Sequence, residues 1–343
     1  GGVDTAVGML PRRFLGRVPD WIRPPWTRPS GPLWPPPAAA GRRHVLLHAG
    51  LHKTGTTALQ VFLAEAAGRL LQQSILYPAT GRPDVAPHGQ HNIAWELAGD
   101  RRFLPRFGTV DELAAEIAGF SGNAVLSSED FESVLATPER LAPLLRHPAL
   151  RDHAFTIVLY VRDQVSYLEA LFIELLQHGM VTPASTVCDQ VLAEGVLRHR
   201  AWAFHFDDFA LLHRLRDIEG VSVFVRAYDG RAGRSTVADF LGFAALRLHA
   251  SREATARRVH ARPDLAASLA AYCGDDGTSV FQQRAYLSPR RRALFAARFD
   301  PGNGQLARLA GFPATALGIS RTLPPDRLVL AHLFTGPSLR DRA

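Results

Sequence analysis

The chain has 343 residues, 39 Lys or Arg against 32 Asp or Glu, and a formal net charge of +7. That length holds one large domain or two modest ones with a full core. No apolar run approaches the ~20 residues of a membrane-spanning helix, so no transmembrane segment is expected. Seven arginines against Asp4 and Asp20 put most of the charge excess in residues 1–43. A nucleic-acid module would carry it on its folded part, so no nucleic-acid partner is expected either.

Residues 1–43 are rich in Pro and Arg, hold Trp21, Trp26 and Trp34, and sustain neither a helical nor a strand period. They read as a flexible arm. Gly1 stands where a methionine would, so that end is read as open. No charged-then-apolar signal pattern is present, and a cytoplasmic location is expected, with peripheral contact to a membrane left open. Cys188 and Cys273 are the only cysteines. Their separation fits neither a zinc site nor a disulfide scaffold, and both read as buried apolar-like residues.

The organising stretch is residues 44–62. The apolar run Val45, Leu46, Leu47 predicts a strand ending at Gly50, followed by a turn with Lys53 and Gly55. Thr56 and Thr57 then open a helix with Leu59, Phe62 and Leu63 on one face. A strand, a glycine-bounded turn and a helix start form an anion site, because the first-turn N–H groups have no partner within the helix. Gly50-x4-Gly55-Thr56-Thr57 has phosphate-loop spacing, with Thr56 where a nucleoside triphosphatase has lysine. Lysine stands at Lys53 instead, and it is the only lysine of the chain. A compact charge on a flexible stem suits a tight loop over a phosphate better than a planar guanidinium does.

Further along, the pattern predicts a helix from Thr57 to Gln73, a short strand Ile75–Tyr77 stopped by Pro78, and a polar stretch 79–91 with His88 and His91. Helical patterns follow around Ile93–Leu97 and Val110–Phe120. A strand from Ala124 ends in Ser127, Ser128 and Glu129, and a short helix covers Leu141–Leu145. Phe155–Val161 is the strongest buried strand. It ends at Arg162-Asp163 before an amphipathic helix, Gln164–His178. Val221–Val225 is a further strand, followed by Tyr228-Asp229-Gly230 and a helix through Phe240. Residues 183–215 and 250–312 read as helical. Residues 44–312 form the domain, and 313–343 an irregular tail.

Strands alternating with helices predict an α/β fold, a mainly parallel sheet with helices on both faces and extra C-terminal helices. Ligands of such sheets gather outside the carboxyl ends of the strands. The loop, Ser127 to Glu129, Arg162 and Tyr228 all fall there, which makes them one candidate site. Arg162 can hold a phosphate through its fork of donors; a salt bridge to Asp163 or Glu169 is the competing use. Glu129 can accept a proton from an acceptor hydroxyl, or it can cap the helix starting near Glu132. His88 and His91 are rival bases, since imidazole titrates near neutral pH. His48, on the strand, reads as packed.

His52-Lys53-Thr54-Gly55-Thr56-Thr57, followed by Gln60, resembles the 5′-phosphosulfate loop of sulfotransferases that use 3′-phosphoadenylyl sulfate (PAPS), in a form common among bacterial members. Tyr160 to Ala170 resembles the family's 3′-phosphate segment. There the family has an arginine followed eight positions later by a serine. Arg162 matches the first; Ala170 departs from the second, and Ser166, one turn earlier on the same face, is the substitute. Arg226 to Gly230 with Asp239 to Gly242 resembles the last strand and following helix. Phe299-Asp300-Pro301-Gly302 resembles the start of the carboxy-terminal helix. The likeness covers residues 44–312.

The resemblance implies sulfuryl transfer from PAPS to a hydroxyl or amine, in line and without a metal. His52 to Thr57 would cradle the 5′-phosphosulfate, Lys53 would neutralise charge on the bridging oxygen, and Arg162 with Ser166 would hold the 3′-phosphate. The family uses a glutamate or a histidine as base, which points to Glu129 or His91. His88 and His91 would lie on the acceptor side, and Arg231 and Arg234 near the adenine or 3′-phosphate. The expected partner is a small-molecule or glycan acceptor, carbohydrate or glycolipid; oligomeric state is not written in the sequence. The alternatives are a magnesium-dependent nucleotide kinase, or a non-catalytic nucleotide-binding homologue.

Overall fold

The computed structural model describes residues 42–180, 182–215, 218–228, 235–244, 246, 248 and 287–319. The arm before Arg42, Asp229, Gly230, Arg231, Arg234, Cys273 and the tail beyond Ile319 lie outside the described residues.

In chain order the elements begin with β1 (Arg43–Gly50), α1 (Thr56–Glu65), α2 (Ala67–Leu71), β2 (Ile75–Leu76), α3 (His91–Ala98) and α4 (Val110–Ala118). Next come β3 (Asn123–Ser127), α5 (Phe131–Leu135), α6 (Ala142–Leu145), β4 (His153–Val161), α7 (Gln164–Gln177) and α8 (Ala184–Glu194). The chain continues through β5 (Val196–His199), β6 (Trp202–His205), α9 (Asp208–Leu215), β7 (Val221–Ala227), α10 (Thr236–Phe243) and α11 (Pro289–Ala310).

Five strands form one sheet in the order β2-β3-β1-β4-β7, and every pairing in it is parallel. The β1 and β4 side chains are buried on both faces, which is why both strands read as near-continuous apolar runs. Alternation along each strand divides the core. Val45, Leu47 and Ala49 of β1, with Ile157 and Leu159 of β4, meet α3, α4, α5, α7, α9 and α11. Leu46, Val158 and Tyr160 point the other way, onto Leu59 and Phe62 of α1 and Phe240 of α10. Helices on both faces of a parallel sheet make this an α/β fold with a phosphate-loop-like strand–loop–helix at its centre.

Register sets the site. His48 pairs with Ser127, Gly50 with Tyr160, and Val161 with Ala227. The segments leaving β3, β1, β4 and β7 therefore emerge along one edge. The chain leaves β1 towards β2 and leaves β4 towards β7, so the connections diverge there and open a crevice.

Three expectations need correction. The helix after the loop stops at Glu65, turns at Ala66 and resumes as the short α2, so it does not run unbroken to Gln73. Residues 196–205, read as helical, form the antiparallel β5–β6 hairpin. Its turn places Arg200 in the left-handed region (φ 53°), where sequence reasoning looks for glycine or asparagine. Phe299-Asp300-Pro301 does not begin a helix but lies inside α11, which carries Pro301 in its interior. Proline opposes a helix interior. Here Phe295, Phe299, Leu306 and Ala310 bury one face of α11 against the core, and that packing carries the helix through.

Candidate functional site

The loop after β1 is shaped by backbone. Lys53 and Gly55 both take left-handed conformations, φ 62° and 80°. A Cβ on Gly55 would come 2.5 Å from Thr236 Oγ1, and one on Gly50 would come 2.6 Å from Thr56 Oγ1 and 2.8 Å from Thr54 Oγ1. Glycine is thus required at both positions by close approach, and at Gly55 by conformation as well. Thr54 is fully buried and donates to the Leu51 carbonyl at 2.6 Å. Thr56 is buried too, its hydroxyl 3.3 Å from that of Thr54; Thr57 is half-buried on the first turn of α1. Thr236, at the start of α10, donates to the Thr54 carbonyl at 2.8 Å. The sequence reading did not single out Thr236.

Lys53 extends across the loop to α7, its Nζ 3.5 Å from Glu174 Oε2. Arg162 leaves β4 beside it and donates to the Lys53 carbonyl at 2.8 Å and to Ser166 Oγ at 3.3 Å. Its guanidinium lies 5.3 Å from the centre of the Tyr228 ring. Asp163 caps α7 through the Ser166 N–H at 3.0 Å and also accepts from the Ser166 hydroxyl. Glu169, the other acid considered for Arg162, pairs with Arg292 of α11. Ala170 is buried on α7. Loop, Arg162 and Ser166 are therefore one hydrogen-bonded unit.

A second cluster follows β3. Glu129 accepts from Gln60 Nε2 of α1 at 2.7 Å and lies 4.0 Å from His91 Nε2. Its backbone carbonyl, not its carboxylate, receives the Glu132 N–H. His91, at the first position of α3, has Asp130 Oδ2 at 2.8 Å and Ser128 Oγ at 2.9 Å from Nδ1. Asp130 is also 3.3 Å from Arg102. Burial works to lower the His91 pKa, but Glu129 and Asp130 outweigh it and raise it. Burial would raise Asp130, yet the His91 bond and the His52 and Arg102 charges take it well below the carboxylate range. His88 stands apart from these groups: it is half-buried and presents its backbone carbonyl to the Tyr77 hydroxyl at 2.6 Å.

Glu132 joins the two clusters and was missed in the sequence because it reads as an ordinary helix acid. It is buried (1%) and accepts from the His52 N–H at 3.2 Å and His52 Nδ1 at 2.9 Å. The Tyr167 hydroxyl and the His205 N–H also point at it. A carboxylate bonding to loop, α7 and hairpin at once locks the three together. Burial would lower the His52 pKa, but the bond and charge of Glu132, with Asp130 and Glu129 behind, raise it to about 9. Burial would raise Glu132, and His52 holds it below its ordinary value instead. His48, four residues earlier, is packed as expected: fully buried, 2.8 Å from Ser127 Oγ, with burial lowering its pKa to about 3.

The outer edge of the site is closed without a strand. β2 pairs with only Asn123 and Ala124 of β3. Beyond it, Gln90 donates its N–H to the Ser127 carbonyl at 3.0 Å and accepts the Ser127 N–H on its side-chain Oε1 at 2.8 Å. Its Nε2 donates to the Pro78 carbonyl at 2.8 Å.

No protein-family profile matches the chain, and no curated protein matches it. Among solved structures, a chain from the PezAT chromosomal toxin–antitoxin system of Streptococcus pneumoniae aligns at 15% identity, covering 59% of this chain and 78% of that one, with a TM-score of 0.26. A likeness that slight carries no argument, and the fold stands on its own strand order and register. Among the described residues no helix is long and apolar enough to cross a membrane, and no cluster of His, Cys, Asp and Glu could hold a metal ion.

Proposed function

We propose that the chain is a sulfotransferase that takes a sulfuryl group from PAPS and delivers it to a hydroxyl or amine of a small-molecule or glycan acceptor, with a carbohydrate or glycolipid favoured. The observation that carries this reading is the single unit made by the loop and Arg162. Lys53 and Gly55 turn the loop left-handed before the α1 N-terminus, and Arg162 bonds to the same loop from β4. First-turn N–H groups of a helix have no intrahelical partner, so one anionic group fits there and a second fits beside Arg162. A nucleotide bearing a 5′-phosphosulfate and a 3′-phosphate has that pair of charges.

Bound there, PAPS would supply the sulfuryl group. The N–H groups of residues 53–57 and the hydroxyls of Thr56 and Thr57 would cradle its 5′ end, with His52 and Thr54 shaping the loop. The Lys53 ammonium would stabilise charge developing on the bridging oxygen, the kind of interaction that usually dominates such transfers. For this it must turn from Glu174, a partly exposed partner. Arg162 and Ser166 would hold the 3′-phosphate, and Glu129 or His91 would receive the acceptor proton. The site residues require no metal in this reading, and a cytoplasmic protein fits it.

Calorimetric titration with adenosine 3′,5′-bisphosphate, without magnesium and beside ATP, tests the donor. Preferential binding of the bisphosphate that weakens at least about tenfold in Arg162→Ala is expected. ATP binding only with magnesium would favour a kinase, and bisphosphate binding without transfer to any acceptor would favour a non-catalytic homologue. Lys53→Ala should remove about a hundredfold or more of the turnover while leaving the melting temperature unchanged. Retained turnover overturns the proposal.

A further inference from the structure

The geometry points to a division of labour between the two groups that could serve as base: His91 is a fixed imidazolium, held by Asp130, that positions Glu129, and Glu129 is the carboxylate that takes the acceptor proton. This assignment rests on the transfer reading for the proton step, but not for the charge state of the ring.

The two nitrogens of His91 face different carboxylates. Nδ1 is 2.8 Å from Asp130 Oδ2 and Nε2 is 4.0 Å from Glu129 Oε2. An imidazole nitrogen directed at a carboxylate is favourable when it bears a proton and repulsive when it offers a lone pair. With Asp130 hydrogen-bonded on one side and Glu129 at ion-pair distance on the other, the doubly protonated ring is attracted by both acids, whereas a ring protonated at Nδ1 alone turns a lone pair towards Glu129. The other charged groups around the ring are His52, which opposes its charge, and Arg102, which pairs with Asp130 at 3.3 Å. Ser128 Oγ, 2.9 Å from Nδ1, accepts the Asp130 N–H and so has a lone pair left for the ring. Burial opposes the charge, and the two acids prevail.

Access separates the roles. The His91 side chain is 5% exposed and that of Glu129 is 20% exposed, so Glu129 is the group an acceptor can meet. Gln60 donates to the same Oε2 that faces His91, which leaves Oε1 as the oxygen for the acceptor. In the step, the acceptor O–H bond breaks and its proton goes to Glu129. The acceptor oxygen forms a bond to sulfur, and the bridging S–O bond breaks with its electron pair staying on the nucleotide phosphate. An imidazolium already carrying both protons cannot take that proton. Asp130 and His91 are positioning residues, and Glu129 is the catalytic one.

The test is ¹⁵N NMR of the histidine-labelled full chain, with His91 assigned by its disappearance in His91→Asn. At pH 7.5 both ring nitrogens of His91 should show the shifts of a protonated imidazolium. Asp130→Asn should lower its titration midpoint by at least about one pH unit, and Asp130→Glu should restore most of it. A neutral His91 ring at pH 7.5, or a midpoint unmoved in Asp130→Asn with its other histidine signals native, overturns the assignment. Titration of the same samples with adenosine 3′,5′-bisphosphate keeps the two readings apart: failure to bind would sink the donor assignment while leaving the ring's charge state decided by the spectrum.

Discussion

The two connections that meet at the centre of the site are built from opposite materials. After β1 the chain is fixed by backbone: two left-handed residues, two glycines whose Cβ positions are occupied, and carbonyls that receive Thr236 and Arg162. After β3 it is fixed by charge: Asp130 and Glu132 buried against His91 and His52. A backbone-built loop keeps its shape at any pH and fails when an atom is added. A charge-built one tolerates atoms and fails when a proton or a partner is removed. His52 and Glu132 are where the two meet, so the phosphate loop inherits some of the weakness of its neighbour.

The largest effect should come from cutting that joint. Glu132→Ala leaves His52 and the His205 N–H without their buried acceptor, and breaking a buried ion pair by removing one partner costs about 3–5 kcal/mol. Chemical denaturation should read that loss, and an unchanged midpoint would mean that the loop needs no support from α5. Gly55→Ala comes next. A left-handed non-glycine residue costs about 1–2 kcal/mol and overpacking about 1–3 kcal/mol, and bisphosphate affinity should fall with stability. Gly55→Ala at wild-type stability would show that Thr236 yields and that the loop is not backbone-fixed.

The third prediction follows pH. His52 has its pKa raised to about 9 in the folded chain against an ordinary value near 6.5. Its contribution is therefore fully present below about pH 6.5 and is lost as pH rises through about 9. Glu132 is shifted downward, so its share is present above the ordinary glutamate range and fades in acid. His48 has the opposite sign to His52. Its folded pKa of about 3 means that folding loses stability as pH falls from about 6.5 towards 3. Melting temperature against pH should thus fall on both sides, and Glu132→Gln should flatten the alkaline side and reduce the acid side to the His48 share. The smallest effect is that of Thr236→Val, which removes one hydroxyl donor to the Thr54 carbonyl and should cost about 1 kcal/mol. A loss several times larger would place more of the loop's rigidity on α10 than on β1.

How much could be read from the sequence follows the same division. β1, β4, β7 and α7 declare themselves as apolar runs or stripes, and the loop by the positions of Gly50, Lys53, Gly55 and Thr56. These signals are local, because the physics behind them is. Glu132 and Thr236 were not legible, since each matters through partners far along the chain, Glu132 through His52, Tyr167 and His205 and Thr236 through Thr54. Gln60 entered only through the loop motif, and nothing in the sequence tied it to Glu129. The β5–β6 hairpin was hidden for another reason: His199-Arg200-Ala201-Trp202 carries no turn residue, and Arg200 adopts a conformation that such residues rarely take. Phe299-Asp300-Pro301 misled because a likeness to a family's helix start was carried over, while the packing of α11 runs the helix through the proline. The carboxylate of Glu129, which the sequence left open between cap and base, sits on Gln60 of α1 rather than on α5.

Gln90 completes the β3 ladder with one backbone donor and one side-chain acceptor, in place of a sixth strand. An open sheet margin is a template on which other chains can stack and grow into fibrils, and natural proteins blunt such margins. Here the blunting falls on a single amide beside the site, where a full strand would wall off the crevice. One glutamine thus does for the end of β3 what a further paired strand would otherwise do.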